Sequence, residues 1–325
     1  MRLFAVIVAV LSLAGIARGA ADVTDYPTRK IEIVVPFPPG GNTDLLARIL
    51  AEKLQASFKQ PVIIVNRPGA GTNIGAAYVA HSNPDGYTAL ISAPAALAVN
   101  QYLYAHLEYD PVTSFSPVSL VATFPNVLVV HPSLGVKTIQ ELIDKAKAHP
   151  GQINFASAGI GSTSHLAGML FAEMANIKVV HVPYKGTSES LQDLLAGRVA
   201  YTIDNLGPIL PFIQSGQLMA LGISTKKPAA LLPNVPPINS VLPGFQLSSW
   251  NVLAVPAGTP KDVVAKLSAA CDRVLHIPTV VEKARAFGSE PVGGTPEEVD
   301  AFLKEERVRW KAAVKAANLS KNTFN

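Results

Sequence analysis

Three glycine-bearing segments, Gly40-Gly41, Gly69-Ala70-Gly71 and Gly159-Ile160-Gly161, each follow a short β-branched run and precede a helical pattern. Glycine lets a ligand approach the backbone closely, and a helix N-terminus offers unpaired N–H donors with a partial positive charge. Hydroxyls at Thr43, Thr72, Ser162 and Thr163 would add donors. Two or more such segments facing one cleft would hold an anion without an arginine. The segments carry no lysine, which suits a carboxylate better than a polyphosphate. Read singly, each is also ordinary strand-to-helix punctuation with its own N-cap.

Single residues sharpen this picture less. Asp44 precedes Arg48 by four positions in the first turn of a helical stripe, a pattern of dipole complementarity and local ion pairing. The alternative is an acid or an ammonium-binding group. His165 lies in the first turns after Gly161 and reads equally as a ligand contact or a packed ring. The histidines at 81, 106, 131, 149, 165, 181 and 276 include no i, i+4 pair, so no metal site is expected. Gly69-Ala70-Gly71-Thr72-Asn73-Ile74-Gly75 has GxGxxxG spacing, and Asp85 lies in a Pro-Asp-Gly turn; neither fits a dinucleotide fingerprint. Phe155-Ala156-Ser157-Ala158-Gly159 resembles a nucleophile elbow but has Phe155 where its first glycine belongs. A serine hydrolase, with His165 or His181 as base, is therefore a weak alternative, and no cofactor is called for.

The elements that would position these segments alternate along the chain. Strands are expected at 31–35, 62–65, 87–92, 127–130, 153–157, 179–182, 199–203 and 219–224. Helices are expected over 44–58, from about 73 to 80, and over 138–148, 163–174, 188–196, 261–276 and 296–316. Strand, glycine loop and helix in succession is the βαβ rhythm of a parallel sheet covered on both faces. In such sheets ligands bind at the carboxyl ends of the strands, where the glycine loops lie. Two look-alike strands, Val127–Val130 and Val252–Val255, would cross between two lobes. Lobe 1 is then expected from residues 22–124 and 258–325, and lobe 2 from 125–257.

Composition bounds the rest. The chain has 325 residues, 49% of them hydrophobic and only 15% charged, so it is no disordered chain. Its length suits two lobes. Lys and Arg total 27 against 23 Asp and Glu, with no basic run, which argues against nucleic acid as a partner. One cysteine, Cys271, excludes an intramolecular disulfide. Arg2, the uncharged run 3–17 and small residues around 17–21 have the layout of a signal peptide, cleaved after about Gly19 or Ala21. The run is shorter than the ~20 residues a membrane span needs.

A family resemblance rests on a series of longer motifs. Val35-Pro36-Phe37-Pro38-Pro39-Gly40-Gly41-Asn42-Thr43-Asp44 with Arg48, Asn66-Arg67-Pro68-Gly69-Ala70-Gly71 and Pro84-Asp85-Gly86-Tyr87-Thr88 begin it. Pro150–Gly159, Ser164-His165-Leu166-Ala167, His181–Gly186, Leu194–Gly197 and Val255–Pro260 continue it in order. Together they resemble the solute-binding receptors of tripartite tricarboxylate transporters, the TctC or Bug group. The resemblance implies a two-lobed α/β Venus-flytrap fold of the type II periplasmic-binding-protein kind, each lobe a mainly parallel sheet flanked by helices. It implies a monomeric periplasmic receptor that closes on a small organic carboxylate and serves the membrane subunits of a transporter; a sensor feeding a signalling partner is the alternative. It implies no catalysis. Carried over residue by residue, it points to Phe37, Pro39, Gly41 and Asp44 on one side. On the other it points to Ala156, Ser157, Gly159 and the turn of Ser162, Thr163 and His165. Tyr184, Lys185, Asp204 and Asn205 follow other strand ends, and Gly71 joins from its glycine loop.

Overall fold

The computed structural model describes residues 25–321, so the signal-peptide segment lies outside the described residues. The chain begins with β1 (Ile31–Val35), α1 (Asn42–Phe58), β2 (Val62–Asn66), α2 (Asn73–Ala80) and β3 (Thr88–Ser92). A long strand, β4 (Phe115–Val130), follows. Then come α3 (Ile139–Ala148), β5 (Asn154–Ser157), α4 (Thr163–Ala175), β6 (Val180–Pro183), α5 (Thr187–Leu195), β7 (Tyr201–Asn205), α6 (Leu206–Gln214) and β8 (Met219–Ile223). The chain closes with β9 (Ser248–Pro256), α7 (Lys261–Leu275), α8 (Pro278–Ala286), β10 (Glu290–Gly293) and α9 (Pro296–Ala316).

The strands make two lobes joined by β4. β1 pairs in parallel with β2 and β3, while β9 lies antiparallel between β3 and the first part of β4, and β10 edges that part. Residues Asn126–Val130 of the same strand pair with β7 and β8, and β5 runs parallel to β6 and β7. The parallel rhythm read from sequence thus holds for β1–β3 and β5–β7, and the strands at the crossing add antiparallel pairing. β9 pairs with β3 and β4 from Ser248 onward, so it belongs to the first sheet rather than to the span 125–257.

Local chemistry explains the elements. β4 carries no charged residue, and its side chains alternate between two cores: Val118 and Val121 face one, Leu120, Leu128 and Val130 another. Pro117 and Pro125 sit in this strand, and its register against β9 shifts between Pro117 and Ser119. Thr138 caps α3 by accepting from Glu141 N (3.1 Å), with Lys145 and Lys147 in the last turn. α9 opens with a capping box between Thr295 and Glu298 and has Pro296 at its first position. Its buried face, Val299, Leu303, Trp310 and Val314, joins a core shared with α2, α4 and both sheets. α1 and α7 cover the other face of the first sheet, and α5 and α6 the other face of the second.

Candidate functional site

Four helices begin at one point between the lobes. A cavity of about 390 Å³ is walled by Gly41, Asn42 and Thr43 at the start of α1, and by Ser162, Thr163 and Ser164 at the start of α4. Gly186, Thr187 and Ser188 at the start of α5 and Asn205, the N-cap of α6, complete the polar wall. Phe37, Pro38, Ala93 and Ala158 supply apolar surface. Helix geometry leaves the first amides of each helix without an intrahelical acceptor, so the wall presents N–H donors and the positive ends of four dipoles. Among the lining residues Lys185 is the one cation, and Glu189 and Asp204 are the acids.

The first loop is held by Asp44 rather than opened by it. Its Oδ2 accepts from Gly40 N (3.0 Å) and Arg48 Nε (2.9 Å), and its Oδ1 from Arg48 Nη2 (3.0 Å) and Asn66 Nδ2 (2.9 Å). Asn66 Nδ2 also donates to the Phe37 carbonyl (3.0 Å). Burial alone would raise this carboxyl; the bonds from Arg48, Asn66 and Gly40 outweigh it and hold the group below its ordinary range. Asp44 is thus the strut of the loop, as the pairing with Arg48 suggested, and it lines neither cavity of the cleft.

The second loop is tied by its own side chains. Ser162 Oγ donates to the Gly159 carbonyl (2.6 Å) and accepts from His165 N (3.2 Å), and Ser164 Oγ accepts from Ala158 N (2.9 Å). Gly161 N donates to His165 Nδ1 (3.2 Å). Ser157 Oγ lies 2.7 Å from His181 Nε2 and accepts from Gly159 N (3.2 Å). The rings of His165, His181, Phe155 and Tyr201 stack in a column, with successive centroids 4.2, 4.8 and 5.6 Å apart. Burial pushes the His165 imidazole down to about 3, with His181 adding to the effect, and burial pushes His181 down to about 4. Both rings are therefore neutral near pH 7.

Ser157, Ala156 and His165, expected as ligand contacts, line neither cavity of the cleft. Ser157 and Ala156 are fully buried, and His165 is 1% exposed. Ala156 packs in the core under α5 and α6, and its carbonyl accepts from Thr202 Oγ1 (2.8 Å). The Ser157–His181 pair has the spacing of a nucleophile and base, but it faces the interior and braces the loop.

A pH prediction follows from the column. Both folded-state pKa values lie below the unfolded value, so their contribution to stability is present above about 6.5 and lost as pH falls toward 4. Each ring should remove about 2 kcal/mol of stability between pH 8 and pH 5. His165→Asn keeps an acceptor for Gly161 N and does not titrate. Urea unfolding at the two pH values should show the pH-dependent loss roughly halved in that variant; an unchanged loss would clear His165 of the role.

The expected residues distribute as follows. Phe37, Gly41, Ser162, Thr163 and Asp204 line the inner cavity. Gly71, Gly159 and Tyr184 line an adjoining outer one of about 630 Å³, shared with Phe37, Ser162 and Lys185. Pro39 lines neither, but its carbonyl accepts from Ser188 Oγ (3.4 Å) across the cleft. The sequence reading missed the start of α5 at Gly186–Ser188, although strand, glycine and Thr-Ser-Glu was a signal available at 180–189. It also missed the buried polar side chains behind the cavity. Asn251 Nδ2 donates to Thr43 Oγ1 (3.0 Å), and Thr163 Oγ1 and Ser249 Oγ share a 3.1 Å bond.

Comparison with known proteins finds relatives over nearly the whole chain. BugT of Bordetella pertussis is 39% identical over 316 residues, covering 97% of each chain. A solved Rhodopseudomonas palustris protein, Rpa4515 with adipate, is 38% identical with a TM-score of 0.88, over 91% of this chain and 99% of its own. MatC of the same organism, solved with bound malate, is 32% identical with a TM-score of 0.85, over 89% and 100%. The family described as "Tripartite tricarboxylate transporter family receptor" matches residues 46–319. A two-lobed binding protein of this kind is a receptor and not an enzyme. The chain belongs to the tripartite tricarboxylate transporter receptor family.

Proposed function

We propose that the protein captures a small organic carboxylate in the inner cavity by closing its lobes, and presents the closed form to the membrane subunits of a tripartite transporter. The convergence of four helix N-termini on one cavity carries this reading. Amides and hydroxyls there would replace the hydration of an anion, and closure would strengthen each bond by excluding water. Relatives solved with adipate and malate support the ligand class. The lobes would comprise residues up to Pro125 together with those from Ser248 onward, and Asn126 to Ser224. Export and removal of the leader would place the protein, as a monomer, in the periplasm.

The test is a thermal-shift screen of refolded mature protein against short carboxylates, repeated on Gly41→Val. A Cβ at Gly41 would meet no atom within 4 Å, so the variant should fold. Its branched side chain would project where an anion must reach the first amides of α1. The wild type should gain several degrees with a ligand at about 100 times its Kd. The variant should melt normally and gain nothing. A shift equal to that of the wild type would remove the first loop from the site, and a silent panel for the wild type would sink the carboxylate reading.

A further inference from the structure

We propose that Asp204 takes up one proton from solvent when the cleft closes on a dicarboxylate, and that its neutral carboxyl then donates a hydrogen bond to the ligand carboxylate beside it. This rests on the carboxylate-receptor reading above. Asp204 is 2% exposed and lines the inner cavity at the end of β7. Its Oδ2 accepts from Thr187 Oγ1 (2.9 Å) and its Oδ1 from Asn205 N (2.7 Å). Asp44, which faces away from the cavity, has an arginine gripping both oxygens; Asp204 has two uncharged donors and no ion pair. A buried acid without a cation, placed where an anion must bind, has two ways to relieve the conflict: reject the anion or lose its own charge.

The surroundings favour loss of charge. Burial raises the Asp204 carboxyl to about 6, against the pull of Asn205 N and Thr187. β4, whose Val127 is its register partner, carries no charge, and neither do β5 and α6. α5 carries Glu189, on the exposed side of the cavity, and Asp193, which is held by Tyr184 and Arg198. From the facing lobe α1 offers Asp44, already compensated by Arg48, and behind α4 the rings of His165 and His181 are neutral. Lys185 is exposed at the rim. Beyond this shell, Arg285 and Glu290 pair with each other. A second carboxylate entering this cavity would therefore raise Asp204 further, and like charges in contact do not both stay ionised.

Linkage gives the sign. Free Asp204 is mostly ionised at pH 7.5, and the bound form would hold the proton, so affinity should fall as pH rises above about 6, by up to about tenfold per unit. The experiment is isothermal titration of adipate and malate between pH 6.5 and 8, in buffers of different ionisation enthalpy. Expected for the wild type is uptake of between half and one proton at pH 7.5, with a matching weakening of about three- to tenfold per pH unit. Asp204→Asn presents an amide donor at every pH; its affinity should be independent of pH, with no proton taken up. Wild-type binding with no uptake and a flat profile would overturn the proposal while leaving the receptor reading intact, as would affinity that tightens with rising pH. If no dicarboxylate from malonate to pimelate binds across this range, the proposal falls, and the receptor reading is left to the wider carboxylate panel. The buffer-dependent heats of the wild type decide the matter even if Asp204→Asn misfolds.

Discussion

Gly71→Val is expected to weaken ligand binding by about fivefold to a hundredfold while leaving each lobe folded. Gly71 has φ +59°, and a Cβ there would lie 2.4 Å from Tyr104 Oη and 2.7 Å from the Ile160 carbonyl. Ile160 belongs to the loop before α4, so the second clash is across the cleft. A tyrosine hydroxyl can swing aside; a backbone carbonyl in a loop tied by Ser157, Ser162 and Ser164 yields less readily. Overlap of this kind costs about 1–3 kcal/mol, and a left-handed backbone at a residue with a Cβ adds about 1–2 kcal/mol. The share of that energy borne only by the closed form appears as lost affinity, at about 1.4 kcal/mol per tenfold. Titration of adipate into the variant checks this, alongside small-angle scattering for a more open particle. Undiminished affinity would show that binding does not require the Gly71–Ile160 approach.

The second large effect concerns stability. Glu306 on α9 is 2% exposed, and its Oε2 accepts from Trp250 Nε1 (2.6 Å) and Trp310 Nε1 (2.8 Å). Arg309 binds its other oxygen. Both indoles are buried, and Trp250 lies on β9, next to the crossing strand. Glu306→Ala would leave two buried N–H groups and a cationic neighbour without their acceptor. Bonds to a charged acceptor contribute about 1.5–3 kcal/mol each, so a loss of about 3–5 kcal/mol is expected, and a drop in Tm of roughly 10 °C. Glu306→Gln retains one acceptor and should recover part of it. Urea midpoints of the three proteins decide; a loss below about 1 kcal/mol for the alanine variant would mean water reaches both indoles.

What the sequence disclosed of the site was its local part. A glycine after a strand and a hydroxyl at a helix start are signals that depend on a few neighbouring residues, so Gly41, Ser162 and Thr163 were legible. The direction in which Ala156 and Ser157 face depends on the pleat of β5 and on His181 in the neighbouring strand, 24 residues away from Ser157. No spacing within 155–159 carries that. The strand expected at 127–130 is only the end of β4, which starts at Phe115 and runs through Pro125 in register with Ser248. Pro208 and Pro211 hid α6, whose first turn tolerates the former and whose nine residues give little periodicity to set against the latter. α8 and β10 were missed for the same want of length.

The sharing of β4 by both sheets has a consequence in time. A chain emerging from its N-terminus makes β1, β2, β3 and all of β4 before it has made any of the strands that flank β4. β7 and β8 arrive next, so the strands of the middle sheet can pair once residue 223 is out, although their core still waits for Ile238, Phe245 and α9. The lobe that begins first must wait for β9 between β3 and β4, and for α7 and α9 to seal its two faces. Pairings separated by more than a hundred residues form slowly. The N-terminal third thus stays an incomplete sheet, with β3 and half of β4 unpaired at their facing edges, until nearly the whole polypeptide exists.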